Sequence, residues 1–331
     1  MWQVAERLHW ARLPLPMALD HVNVYIADEG ESWTLIDTGL DWAKGRAALE
    51  ALLAGPLAGK PVARVIVTHH HPDHVGLAGW MVARGAELWM PRTGWLLSRM
   101  LVLDEEERPT PEALRFWRLA GMDPDELARR EGSRPFNFAD AVAPLPAGYR
   151  RLVEGEVIHL AGRNWTVRMG NGHAPEQATF WAEDEPLVIG ADQLLPRISP
   201  NISVHQFEPE ADPLAEWFAS CARFSALAEP EQLVLPGHRL PYRGLPFRLT
   251  QLAENHVGAL ARLRGFLEEP KVGHECFPVL FAREIGRDQY TLALGEALAH
   301  LNHLWLAGEL SREEVDGVWH WRMAGAAGVV G

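Results

Sequence analysis

Cysteine is nearly missing from this 331-residue chain: there are two, Cys221 and Cys276, far apart and without metal-ligand spacing. A thiolate metal motif is thereby excluded, and both are expected to be small buried apolar residues in a reducing compartment. Positive charge is also short, with 31 Lys and Arg against 44 Asp and Glu and a formal net charge of −13. Nucleic-acid binding rests on basic surface, so a polyanion is not the expected main substrate, although a local basic pocket is allowed. No run reaches the roughly 20 apolar residues of a membrane span, and Met1-Trp2-Gln3-Val4-Ala5-Glu6-Arg7 lacks a basic start followed by a long apolar stretch. A soluble, cytoplasmic protein with no membrane partner is expected. The chain has no G-x-S-x-G nucleophile elbow, no internal repeat and no low-complexity tract.

What is present is concentrated in Thr68-His69-His70-His71-Pro72-Asp73-His74-Val75-Gly76, directly after the apolar run Val65-Ile66-Val67. Imidazoles and a carboxylate are the ligands zinc and similar metals prefer, so one short turn offers up to four of them. Gly170-Asn171-Gly172-His173, Ile189-Gly190-Ala191-Asp192 and Leu235-Pro236-Gly237-His238 each follow or adjoin a short β-prone run. That placement brings ligands from distant parts of the chain to one sheet edge. His70 should point away by strand-like alternation and is given no role.

These motifs, in this order, resemble the metallo-β-lactamase superfamily over roughly residues 20–250. The resemblance implies a four-layer αββα sandwich, an α/β fold. It also implies one metal on His69, His71 and His173, and a second on Asp73, His74 and His238, with Asp192 between them. Asp37, in Leu35-Ile36-Asp37-Thr38-Gly39, matches a family carboxylate that orients a ligand imidazole. The implied cofactors are two divalent ions, zinc foremost, with iron or manganese as alternatives. Such a pair, roughly 3.5–4 Å apart, holds a bridging hydroxide that attacks a carbonyl or phosphoryl centre. Asp73 is the expected catalytic residue, ligating metal and handling the proton of the attacking water.

The leading reading is hydrolysis of a thioester or related ester, similar to the glyoxalase II branch, with a small-molecule acyl substrate. Glutathione and coenzyme A are both open as thiol carriers. Arg197, Arg239 and Arg243 adjoin the ligand segments and are candidates to hold a carboxylate or phosphate of the carrier. The alternatives are a lactonase, a metal-dependent endoribonuclease and an iron-dependent oxidoreductase resembling persulfide dioxygenases. The oxygen-reducing diiron branch typically has Glu where His71 stands. A homo-oligomer is allowed.

The catalytic domain is expected over residues 1–250 and a C-terminal helical, winged-helix-like domain over 251–331. Strands are read at 21–26, 33–37, 63–68 and 87–90, with helices at 43–53 and 76–84. Residues 91–150 form a helical insertion rich in large apolar side chains, a candidate lid in which Trp95 and Trp117 could touch substrate. Four strands are expected between 156 and 191, a helix at 212–227, and long helices at 247–267 and 289–306. Residues 308–321 could form a hairpin. His300 and His303 share one helical face as i, i+3 neighbours. The Ala/Gly-rich end after Met323 is expected to fray.

Overall fold

The computed structural model describes residues 1–324; the rest of the Ala/Gly-rich end lies outside the described residues. The chain divides into two compact units. Unit 1 comprises Met1–Glu105, Phe136–Pro200 and Ala226–Arg248, and unit 2 comprises Glu106–Pro135, Asn201–Ser225 and the chain from Leu249 onward.

Unit 1 holds the two central sheets of the αββα sandwich. The first sheet has seven strands in sequential order: β1 (Trp2–Ala5), β2 (Leu8–Pro14), β3 (His21–Asp28), β4 (Trp33–Ile36), β5 (Val62–Ile66), β6 (Glu87–Pro91) and β7 (Arg150–Leu152). Pairing is antiparallel from β1 to β4 and parallel from β4 to β7. The second sheet is ordered β12-β11-β10-β9-β8, with β8 (Val157–Leu160), β9 (Arg163–Gly170), β10 (Gln177–Ala182), β11 (Leu187–Ala191) and β12 (Leu233–Pro236). Successive side chains on a strand face opposite ways, and β3 uses both faces. Tyr25 and Ala27 point between the sheets, among Ile36, Ile66, Trp165, Phe180, Ile189 and Leu235. Val24 and Ile26 point outward, among Leu35, Val65 and residues of α1 (Ala43–Ala54) such as Leu49. A strand buried on both faces reads as continuous apolar sequence, which is the pattern of Val65-Ile66-Val67.

The first two strands lie outside the strands expected from the sequence, where residues 1–7 signal only the lack of a targeting segment. The ligand motif also differs from a plain turn. Its second half is helix α2 (Pro72–Val75), followed by α3 (Ala78–Val82), so helix begins four residues before the expected start at 76. Pro72 occupies the first turn, where its fixed φ suits helix and its missing N–H leaves no intrahelical bond unmade.

The helical insertion consists of α4 (Arg92–Leu103), α5 (Pro111–Leu119) and α6 (Pro124–Glu131). Thr110 and Asp123 cap α5 and α6 through side-chain oxygens, and α4 lacks such a cap. Unit 2 contains α5, α6, α7 (Pro213–Ser225), most of α8 (Leu245–Phe266), α9 (Phe277–Leu280), α10 (Tyr290–Leu306) and the hairpin of β13 (Leu310–Val315) with β14 (Val318–Met323). Fully buried Trp321 anchors the hairpin, and the Arg312 guanidinium lies 3.8 Å from the Trp305 ring and 4.4 Å from that of Trp319. Cys221 and Cys276 are buried free thiols, and burial pushes each up to about 12. No helix among the described residues is long and apolar enough to cross a membrane.

Candidate metal centre

Each candidate ligand segment expected from the sequence follows the carboxyl end of a strand in unit 1. Asp37 follows β4, the His69–His74 motif follows β5, His173 follows β9, Asp192 follows β11 and His238 follows β12. Strands β9 and β11 both run antiparallel to β10, and β12 runs parallel to β11, so three of these ends lie along one edge. Loop ends of this kind are where open α/β sheets bind ligands.

Three overlapping groups of donor atoms result, each within 4.8 Å: His69, His71 and His173; His69, His74 and Asp192; Asp73, His74 and His238. All seven residues expected from the sequence are therefore brought together. His74 Nε2 lies 3.4 Å from Asp192 Oδ1 and 3.7 Å from Asp73 Oδ2. His238 Nε2 lies 3.3 Å from both Asp73 Oδ2 and Asp192 Oδ2, and His173 Nε2 is 3.6 Å from Asp192 Oδ2. Ligands of a tetrahedral ion with arms of about 2.1 Å stand about 3.4 Å apart, so this spacing fits metal coordination.

The ring tautomers are set from behind. His74 Nδ1–H donates to Asp37 Oδ2 at 2.8 Å. Thr68 Oγ1 donates to the same oxygen at 2.9 Å, which leaves it to accept from His69 Nδ1–H at 2.9 Å. His238 Nδ1–H donates to the His21 carbonyl at 2.8 Å. Each of these imidazoles therefore turns Nε2 inward, where a cation can take the place of a proton. His69 Nε2, His74 Nε2 and Asp192 Oδ1 are buried without a hydrogen-bond partner. A buried acceptor left alone costs about 1–3 kcal/mol, and cations bound among these groups would satisfy all three. The residues present thus fit a metal.

The electrostatics agree. Burial opposes charge on His238, but Asp192 and Asp73 outweigh it and push the imidazole up to about 10. Burial likewise opposes charge on His74, and Asp192, Asp73 and Asp37 hold it well above the usual range. Burial alone would raise Asp192, yet His238 and His74 hold its carboxyl well below normal. His69 and His71, buried beside other imidazoles, are held well below the usual range. The carboxylates thus make the surroundings of His74 and His238 favour added positive charge, whereas His69 and His71 favour the neutral, ligand form.

Backbone geometry supports these positions. Asp37, Ala191 and Arg239 all have positive φ, at 61°, 43° and 69°, a costly conformation for residues other than glycine and one that clusters at functional sites. Gly237 must lack a side chain, because a Cβ there would collide with Asp192 Oδ1 and the His74 ring.

Sequence reasoning missed several supporting residues. The Thr68 hydroxyl links Asp37 to His69, and the Asn23 amide donates to the Pro236 and Arg239 carbonyls at 2.8 Å each. Gln177, oriented to satisfy its amide, accepts from the Asp192 N–H at 2.9 Å. Thr68 adjoins the motif and could have been suspected; Asn23 and Gln177 sit inside apolar strands without a signal. The remaining candidates separate. Arg197 and Arg239 line one cavity, whereas Arg243 donates to the Glu231 carbonyl and does not line it. The Trp95 ring stacks on Tyr149 with centroids 4.5 Å apart. Trp117 is in unit 2, with the Arg130 guanidinium 5.6 Å from its ring. His70 is buried, its ring parallel to that of Phe138. A further donor group, His256, Glu296 and His300, lies in unit 2.

Comparison with known proteins gives a consistent picture. The family pattern described as metallo-beta-lactamase superfamily matches residues 17–269, and that of a metallo-beta-lactamase-like C-terminal domain matches residues 260–324. The chain is 24% identical over 314 residues to a probable metallo-hydrolase, YqjP, of Bacillus subtilis, covering 88% of this chain and 90% of that protein. Among solved structures, a beta-lactamase domain protein from Burkholderia ambifaria is 38% identical with a TM-score of 0.88, covering 98% of this chain and 94% of that one. A metallo-beta-lactamase family protein from Thermus thermophilus is 27% identical with a TM-score of 0.81, covering 97% of this chain and 100% of that one.

Proposed function

The chain belongs to the metallo-beta-lactamase superfamily, and from that premise we propose that it is a binuclear metal-dependent hydrolase of a thioester or related ester. The observation that carries the metal-dependent reading is the set of inward-facing, unpartnered buried atoms: His69 Nε2, His74 Nε2 and Asp192 Oδ1. The thioester preference rests on the resemblance to the glyoxalase II branch.

His69, His71 and His173 would hold one ion and Asp73, His74 and His238 the other, with Asp192 shared. Zinc suits this donor set of imidazoles and carboxylates, with manganese or iron as the other candidates. When bound, such a pair would supply Lewis acidity at the carbonyl and make a water acidic enough to give up a proton and become the nucleophile near neutral pH. The chain's own residues do the rest. Asp37 and Thr68 hold the His74 and His69 rings in one tautomer, so their lone pairs need no reorganisation. The Asp73 side chain is 18% exposed, against 8% for Asp192, and is the carboxylate open enough to meet substrate. Its role is to take the proton of the attacking water and deliver it to the leaving group. Residues Asn23 and His21 fix the loop bearing His238.

The test is a panel of thioesters, lactones, phosphodiesters and single-stranded RNA offered to metal-replete protein, with bound metal counted in parallel. Thioesters or esters should turn over, chelator should stop them, and about two metals should be found per chain. Asp73→Asn should lower kcat by about 10²- to 10⁴-fold while changing KM little. Turnover confined to lactones or to RNA would overturn the assignment.

A further inference from the structure

A cavity of about 620 Å³ lies in unit 1 beside the His238 loop. Its charged lining comes from four places in the sequence: Arg12 on β2, Asp20 and His21 before and at the start of β3, Arg197, and Arg239. Three arginines and a single carboxylate therefore line it, in a chain whose formal net charge is −13. Asp20 is already engaged by the His21 ring at 2.6 Å. None of the three arginines forms an ion pair among the described residues, although acidic residues outnumber basic ones overall. Between the cations lie apolar surfaces, including Ile198 and Leu240.

The cavity and the metal centre share structural parts. His21 lines the cavity, and its carbonyl orients the His238 ring. Arg239 directly follows His238, held at φ 69° by the Asn23 amide on its carbonyl. Glycine or asparagine would adopt that conformation at lower cost, yet an arginine that lines the cavity stands there.

We propose that this cavity is a recognition subsite for an anionic group, phosphate or carboxylate, on the leaving half of the substrate, with Arg12, Arg197 and Arg239 as its specificity-determining residues. The proposal rests on the hydrolase reading, since it names the part of the substrate beyond the scissile bond. Guanidinium forks match phosphate and carboxylate oxygens in pairs, and the apolar stretches suit an organic body carrying that charge. Phosphate and dicarboxylate carriers share this chemistry.

Binding is tested without turnover by calorimetric titration with adenosine 3′,5′-bisphosphate and, separately, S-methylglutathione, using wild type and Arg12→Gln, Arg197→Gln and Arg239→Gln. One of the two probes should bind, and each substitution should weaken it about ten- to hundredfold. In kinetics, the ratio of kcat/KM for an acyl-coenzyme A or acyl-glutathione over the uncharged acyl-N-acetylcysteamine should fall at least about tenfold in each variant. Binding that survives all three substitutions but vanishes with chelator would put the anion on the metals and overturn the subsite. An unchanged kinetic ratio, or no binding of either probe, would overturn it as well. If no thioester is hydrolysed but arginine-dependent binding persists, the hydrolase reading fails and the subsite stands.

Discussion

His74 in unit 1 and His256 in unit 2 are both almost closed to solvent, at 0% and 3% exposure, yet burial leaves them with opposite tendencies. His74 stands against Asp192, Asp73 and Asp37 and is held well above the usual imidazole range. His256 stands against His300, their ring nitrogens 3.1 Å apart, and burial brings it down to about 3. His300 is likewise lowered by burial to about 4, and nearby Glu296 is raised by burial to about 7. Desolvation alone disfavours charge on any buried group. Carboxylates close by reverse that for imidazoles and turn a polar core into a place for cations. In unit 2 the only carboxylate of the group favours its own neutral form; His256 Nδ1–H donates to His300 Nε2, and His256 Nε2 stays buried without a partner. The difference teaches that a histidine cluster becomes a cation site through the acids around it.

The largest expected effect comes from removing Asp192, the acid we propose to serve both ions. Asp192→Asn should lower turnover by on the order of 10³-fold, corresponding to a loss of several kcal/mol of transition-state stabilisation, and should lower the metal count. A variant with near-normal kcat and full metal would break the comparison at its root. Next is Asp37→Asn, which leaves every inward-facing ligand in place but weakens the hold on two ring tautomers. A ten- to hundredfold drop in metal affinity or activity, roughly, is expected by titration against a competing chelator.

The unit 2 pair is tested through acid stability. A histidine with a depressed native value refuses a proton that the unfolded chain accepts, so its stabilisation is present above about 6.5 and is lost as pH falls toward 3–4. Glu296 acts oppositely: its raised value means it keeps a proton in the native state, and stability falls as pH rises from about 4.5 to about 7. The two histidines outweigh the one carboxyl, so stability should fall on balance as pH drops from about 6.5 toward 4. His256→Leu/His300→Leu should flatten this acid slope in urea denaturation series and leave metal content unchanged. A fall in metal content in that variant would show that unit 2 binds an ion and would break the contrast. The smallest effect is assigned to Trp95→Ala. Its ring stacks on Tyr149, so the melting temperature should drop by a few degrees while acyl chain-length preference stays as in wild type. A changed chain-length profile would make Trp95 a substrate contact.

Much of unit 1 was legible because its signals are local. The four ends bearing His69–His74, His173, Asp192 and His238 follow apolar runs of strand length, and the four strands expected between 156 and 191 are β8 to β11. Strands β1 and β2 escaped because they carry no turn or ligand marker as clear as those. The helix start at Pro72 escaped because ligand chemistry dominated the reading of that stretch.

The sequence by itself determined which residue types can meet a cation, because ligands spaced one or two apart after a strand cannot be far from one another. It also determined the continuous apolar runs that bury both faces of the first sheet's inner strands. Only the tertiary structure decided which imidazole nitrogen faces inward, since that depends on Asp37, Thr68 and the His21 carbonyl lying behind the rings. It likewise decided that Arg12 joins Arg197 and Arg239 while Arg243 turns to Glu231, and that His300 meets His256 across two helices. These outcomes rest on contacts between segments tens to hundreds of residues apart, and a local pattern carries no record of which distant group will stand opposite it.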